Sequence, residues 1–138
     1  MDGEVRIEVR SDRDVVIARQ KGRSLATDAG LSRTEATLLA TAISEVARNI
    51  VQYVGKGEVT LRTVNADGRE GVSVEARDWG PGIQNVDFAL SDEHPSGGRA
   101  GLGLPGARRL MDDFHIESHP GKGTSVTMTK WRREPRVP

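Results

Sequence analysis

Four groups of residues in this chain of 138 have types and spacings suited to chemistry. Glu45 and Asn49, in "SEVARN", stand four apart, so on a helix they lie one turn from each other on the same side. A carboxylate can accept a proton and a carboxamide oxygen can ligate a hard cation such as Mg²⁺, which suits a cleft. A plain i,i+4 contact at a helix edge fits the same two residues. "DWGPGI" (78–83) places Asp78 after a strand-like run and before Gly80, Pro81, Gly82 and Ile83. An ionised carboxylate there can take a hydrogen bond from the exocyclic amine of adenine; a capping aspartate in a Pro-Gly turn is the simpler alternative. "GLGLPG" (101–106) has the spacing Gly-x-Gly-x-x-Gly, in which the backbone can approach an anion closely and open a helix with its N–H groups, or merely form a flexible loop. "GKGTSV" (121–126) reads first as a hairpin turn, with Thr124 offering a hydroxyl beside it.

The glycine spacing alone decides little, and its context removes two common architectures. A dinucleotide-binding fingerprint needs a strand running directly into the glycines, whereas here "DEHPSGGRA" precedes them. A eukaryotic-type protein kinase needs H-R-D and D-F-G sequences after its glycine loop, and neither occurs.

The elements that must position these groups follow from periodicity. "EVRIEVR" (4–10) alternates apolar and charged residues as a half-buried strand does. A helix is expected over 12–29, with Asp12 or Asp14 as N-cap and Gly30 as its stop. Ser32 caps a second helix over 33–54, ended by Gly55 and Gly57. On it Leu38, Leu39, Ala42, Ile43, Val46, Ile50 and Tyr53 form one apolar stripe, with Glu45 and Asn49 along its edge. Strands are expected over 58–64 and 71–77, joined by the turn "NADG" (65–68). The stretch 78–103 is a long Gly-, Pro-, Asp- and Ser-rich loop with a short apolar piece at Val86–Leu90. Pro105 stands in the first turn of a third helix, "PGARRLMDDF", and strands over 114–118 and 124–131 close the chain. The order β-α-α-β-β-loop-α-β-β predicts an α+β, two-layer α/β sandwich: a largely antiparallel mixed sheet with helices on one face.

Composition narrows the function classes. A single domain over 1–138 is expected from the length. Lys+Arg and Asp+Glu are both 20, so no charge excess points to nucleic acid or an anionic membrane. With no cysteine, disulfides, thiolate catalysis and cysteine zinc sites are excluded. His94, His115 and His119 have no metal-ligand spacing and none reads as a phosphoacceptor. The first residues lack the apolar stretch of a secretory signal, and no run has the length of a membrane span, so a soluble cytoplasmic protein is expected.

Glu-x-x-x-Asn, then Asp-x-Gly-x-Gly, then a glycine-rich loop, then Gly-Thr, resembles the N box and glycine boxes of the GHKL ATPase/kinase superfamily, whose members share the Bergerat ATP-binding fold. The wording of "TAISEVARNIVQYVGKG", "DWGPGI" and "GLGLPGARRLMDDF" is similar to the RsbT-type switch serine kinases of bacterial stressosomes, relatives of the anti-sigma-factor kinases. The resemblance implies ATP and Mg²⁺, with Glu45 as general base and Asn49 holding the metal between the phosphates. It implies that Asp78 reads the adenine amine, that Gly80, Gly82 and Ile83 border the base, and that Thr124 supports the adenine end. Gly101, Leu102, Gly103 and Leu104 would line the phosphates, 84–100 would form a short lid, and Arg99 would reach the terminal phosphate or remain a solvated lid charge. The implied function is phosphorylation of STAS-domain proteins of a stressosome, followed by activation of a downstream partner such as a phosphatase. An anti-sigma-factor kinase and a non-catalytic ATP-binding adaptor are the alternatives.

Overall fold

The computed structural model describes residues 4–83, 86–91 and 103–133. Five strands, β1 (Val5–Val9), β2 (Gly57–Ala66), β3 (Arg69–Asp78), β4 (Asp113–His119) and β5 (Gly123–Trp131), form one sheet in the order β1-β2-β3-β5-β4. All four pairings among the described residues are antiparallel, so the sheet is not mixed there. Alternation sends Ile7, Val9, Val59, Leu61, Val72, Val74, Ala76, Val126 and Met128 to one buried face. Three helices of two turns or more, α1 (Asp12–Asp28), α2 (Arg33–Tyr53) and α4 (Gly103–Leu110), and the short α3 (Val86–Ala89) complete the described elements. α1 and α2 pack together and on the sheet, and α4 packs on α2, giving the expected two layers. No helix among the described residues is long and apolar enough to cross a membrane.

The caps explain where the elements begin. Ser11, and neither Asp12 nor Asp14, is the N-cap of α1: its hydroxyl accepts from the Asp14 N–H, leaving the two aspartates in the first turn, where they favour the helix dipole. α2 opens on a full capping box, the Ser32 hydroxyl accepting from Glu35 N–H while Glu35 accepts from Ser32 N–H. The other Glu35 oxygen accepts the Arg133 N–H at 2.6 Å, tying the first turn of α2 to the chain just past β5. Leu39, Ala42, Ile43, Val46 and Ile50 of its stripe are buried, and Ala47 with them, whereas Leu38 is partly exposed and Tyr53 is half-exposed.

The hairpin is tighter than "NADG" implied. Asn65 and Ala66 pair with Glu70 and Arg69, so the turn is Asp67-Gly68 alone. Both residues have positive φ, 55° and 75°, the twist that a two-residue connection between right-twisted strands requires. The third long helix also differs, ending at Leu110 instead of running to 114. Asp112 and Asp113 are claimed by β5, accepting from the Trp131 backbone N–H and indole N–H at 2.7 and 2.8 Å.

Candidate functional site

α2 is the arm that carries the first two candidates. Its apolar stripe anchors it on the sheet, which leaves Asn49 and Tyr53, one turn apart, on the side facing the ends of β3 and β5. There Asn49, Tyr53, Val54, Asp78, Pro81, Gly82, Ile83, Ala89, Leu104 and Thr124 line one cavity of about 280 Å³. The sequence had singled out six of these: Asn49, Asp78, Gly82, Ile83, Leu104 and Thr124.

Asp78 is the last residue of β3 and is buried. Its Oδ1 accepts the Gly80 N–H at 2.9 Å, which fixes the carboxylate while its remaining acceptor capacity suits a base amine. Thr124 lies directly across from it, since Asp78 pairs with Thr124 in the β3–β5 register. The floor between them depends on missing side chains. A Cβ on Gly123, at φ 96°, would run into the Asp78 carbonyl, and one on Gly82, at φ 85°, would sit 2.5 Å from the His119 carbonyl oxygen. Gly80 lies against Val54, where a Cβ would approach to 2.8 Å. The Gly121 N–H donates to the Pro81 carbonyl at 2.7 Å, knitting the β4–β5 turn to the segment after Asp78.

Ser118 joins these parts and was not foreseen. Its hydroxyl accepts the Ile83 N–H at 2.6 Å and shares a 2.8 Å hydrogen bond with the Thr124 hydroxyl. The pairing of Ser118 with Thr124 across the turn is the signal that could have found it, once the "HPGKG" hairpin was in register. Tyr53 and Ala89 were also missed as wall residues, although Tyr53 follows Asn49 at helical spacing.

Glu45 is buried but does not line the cavity. Its Oε1 accepts the Gly103 N–H at 2.9 Å, and its Oε2 accepts from Arg48 Nη1 at 3.2 Å. Gly103 is the first residue of α4, two positions earlier than Pro105. Gly103 to Gly106 therefore form the opening turn of the helix, and a carboxylate there complements the helix dipole. At the other end the buried Lys130 donates to the Leu110 carbonyl at 2.9 Å. α4 is thus held by a carboxylate at its N-terminus and by an ammonium at its C-terminus. Arg99, Gly101, Leu102 and most of the expected lid lie outside the described residues.

This constellation offers a buried acceptor for a base amine, helix N–H groups suited to an anion, a carboxamide in the cavity wall and a buried carboxylate beside them. No group of three or more His, Asp or Glu able to hold a metal occurs among the described residues. That donor set fits a Mg²⁺ ion carried largely by phosphate oxygens, with Asn49 as a single protein ligand, better than a cation caged by protein.

The model of the histidine kinase-like ATPase domain family matches residues 9–130. Over 127 residues the chain is 39% identical to the serine/threonine-protein kinase RsbT of Bacillus subtilis (strain 168), covering 92% of this chain and 96% of that protein. It is 36% identical over 97 residues to an anti-sigma F factor of Caldanaerobacter subterraneus subsp. tengcongensis, covering 66% of each. Among solved structures, the RsbU and RsbW domains of a Mycobacterium tuberculosis protein match with a TM-score of 0.61 at 21% identity, over 98% of this chain and 34% of that one.

Proposed function

The chain belongs to the histidine kinase-like ATPase domain family as an RsbT-like serine/threonine kinase, and from that premise we propose that it uses Mg·ATP to phosphorylate STAS-domain proteins of a bacterial stressosome. One observation carries the reading: a single helix, α2, presents the buried carboxylate of Glu45 at the first amide of α4 and the carboxamide of Asn49 in the adjoining cavity wall.

In this reading the adenine amine donates to Asp78, and Gly80, Gly82 and Ile83 leave room for the base beside Thr124 and Ser118. The phosphates lie along the N–H groups of Gly103 and Leu104 at the start of α4. The family resemblance assigns Gly101, Leu102 and Arg99, which lie outside the described residues, to the same phosphates. Mg²⁺, with Asn49 as its protein ligand, would neutralise charge on the β- and γ-phosphates. Glu45 accepts the proton of the substrate serine or threonine hydroxyl as its oxygen bonds to the γ-phosphorus. The bond from that phosphorus to the bridging oxygen breaks, and ADP departs with the electron pair. After phosphorylating its STAS partners, the cytoplasmic kinase leaves them and activates an output protein such as a phosphatase.

The test is incubation with Mg·ATP and the STAS-domain proteins encoded beside its gene, read by mass spectrometry for phosphoserine and phosphothreonine. Phosphorylation by the native protein and its loss in Glu45→Ala, with ATP binding retained, are the expected results. ATP binding without modification of any STAS partner would overturn the substrate assignment. The identity to an anti-sigma F factor favours one second reading, an anti-sigma-factor kinase. Recovery of a sigma factor in a nucleotide-dependent pulldown would place that reading first.

A further inference from the structure

The carboxylate of Glu45 has two partners among the described residues, and they lie on different elements. Gly103 N–H, on Oε1, belongs to α4, whereas Arg48, on Oε2, rises from α2 three residues after Glu45 itself. The acid side chain is 9% exposed and the arginine 39%, so the pair runs from a buried oxygen to the rim of the site.

The two partners differ in what a nucleotide does to them. Gly103 N–H is the opening donor of α4, and a phosphate oxygen competes for it directly. One amide proton cannot serve a phosphate and a carboxylate at full strength. As phosphate takes it, Oε1 loses its partner, which raises the proton affinity of the carboxylate and frees a lone pair for a substrate proton. The same event brings several negative charges close to a carboxylate that has lost a donor. Arg48 shares a helix with Glu45, so their contact survives any displacement of α4. Resting on the assignment of Glu45 as base, we propose that Arg48 is its positioning residue, holding Oε2 and supplying the countercharge once nucleotide draws the Gly103 amide away. An exposed i,i+3 pair with no such role would only support the helix.

The proposal is tested with the phosphoacceptor identified as above and with NMR on the native chain. Arg48→Ala is expected to lower kcat by about 10- to 100-fold, the worth of one charge-assisted hydrogen bond. KM for ATP and Kd for Mg·ADP are expected to change far less than kcat, because the lost contact touches no nucleotide atom and acts on the nucleotide only through charge at a distance. Arg48→Lys, which keeps the charge, is expected to recover much of the rate. In ¹⁵N spectra the Arg48 guanidinium signals are expected to remain protected when Mg·ADP is added, and to lose protection in Glu45→Ala. An unchanged kcat, a loss of nucleotide affinity as large as the loss of kcat, or loss of guanidinium protection on adding Mg·ADP would each overturn the proposal. Full turnover by Glu45→Ala would instead overturn the base assignment. If Arg48→Ala fails to fold, the lysine variant and the native spectra still decide.

Discussion

At the scale of single residues, the proposed nucleotide site rests on backbones that touch. Asp78 and Thr124 are cross-strand partners, and the carbonyl of Asp78 packs where a Cβ on Gly123 would have to go. Gly123→Ala would meet both that collision and an unfavourable φ of 96°, so the end of β3 must shift and carry Asp78 with it. Calorimetry should show Mg·ADP affinity falling by about tenfold or more, comparable to losing one hydrogen bond to a charged group. Asp78→Ala should cost a similar factor directly. A Gly123→Ala protein with unchanged affinity would show that this contact does not place the aspartate. Gly68 is the control: its φ is also positive, but a Cβ there meets nothing within 4 Å. Gly68→Ala should therefore lower stability by about 1 kcal/mol, the cost of the left-handed conformation alone, and leave nucleotide affinity intact.

At the scale of elements, α4 is eight residues long and depends on its ties. Lys130→Met keeps the apolar stem but removes the ammonium that pairs with the Leu110 carbonyl. Chemical denaturation should show a loss of about 1.5–3 kcal/mol, the range for a hydrogen bond to a charged group. ATP binding should weaken as well, since the helix carrying the Gly103 and Leu104 amides loses its far anchor. Stability lost with ATP affinity unchanged would separate the two ends of the helix. The elements were largely legible because their signals are local: Ser32 before an apolar stripe marks α2, alternation marks β1, and Asp67-Gly68 lies within the expected turn. The α1 cap was read one or three residues late, at Asp12 or Asp14, and the end of α4 four residues late. The Ser11 cap was a local signal that the neighbouring aspartates obscured, whereas the Trp131 partner of Asp112 and Asp113, 19 and 18 residues away in sequence, becomes visible only in three dimensions.

At the scale of the whole molecule, the site is assembled from α2, the end of β3, the β4–β5 turn and the start of α4. Types and order marked most of the candidate site in the sequence, because Glu45, Asn49, Asp78 and Thr124 each carry a distinctive group. The couplings between them did not follow from order. Glu45 meets Gly103 across 58 residues, and Ser118 reaches Ile83 across 35. A ligand that bridges these segments should stabilise them together. At a free concentration one hundred times Kd, Mg·ADP should raise the unfolding free energy by about 2.7 kcal/mol, seen as a rise in melting temperature. A flat melting temperature at that concentration, with binding confirmed by calorimetry, would mean that the unfolded chain binds equally well.

The arginine-capped indole after Asp78 has an optical consequence. The chain has two tryptophans, and β3 separates them: Trp131 sits across from Gly71 towards one end, and Trp79 follows Asp78 at the other, roughly 27 Å away at about 3.4 Å per residue. Trp79 is 56% exposed with the Arg77 guanidinium 5.2 Å from its ring centre, whereas Trp131 donates its indole N–H to Asp113. Their emission should separate accordingly, a redder water-facing component from Trp79 and a distinct one from Trp131. Nucleotide titration should perturb the first and spare the second. In Trp79→Phe the titration signal should vanish while the unfolding signal remains, so native fluorescence can follow occupancy and integrity of the same molecule without a label.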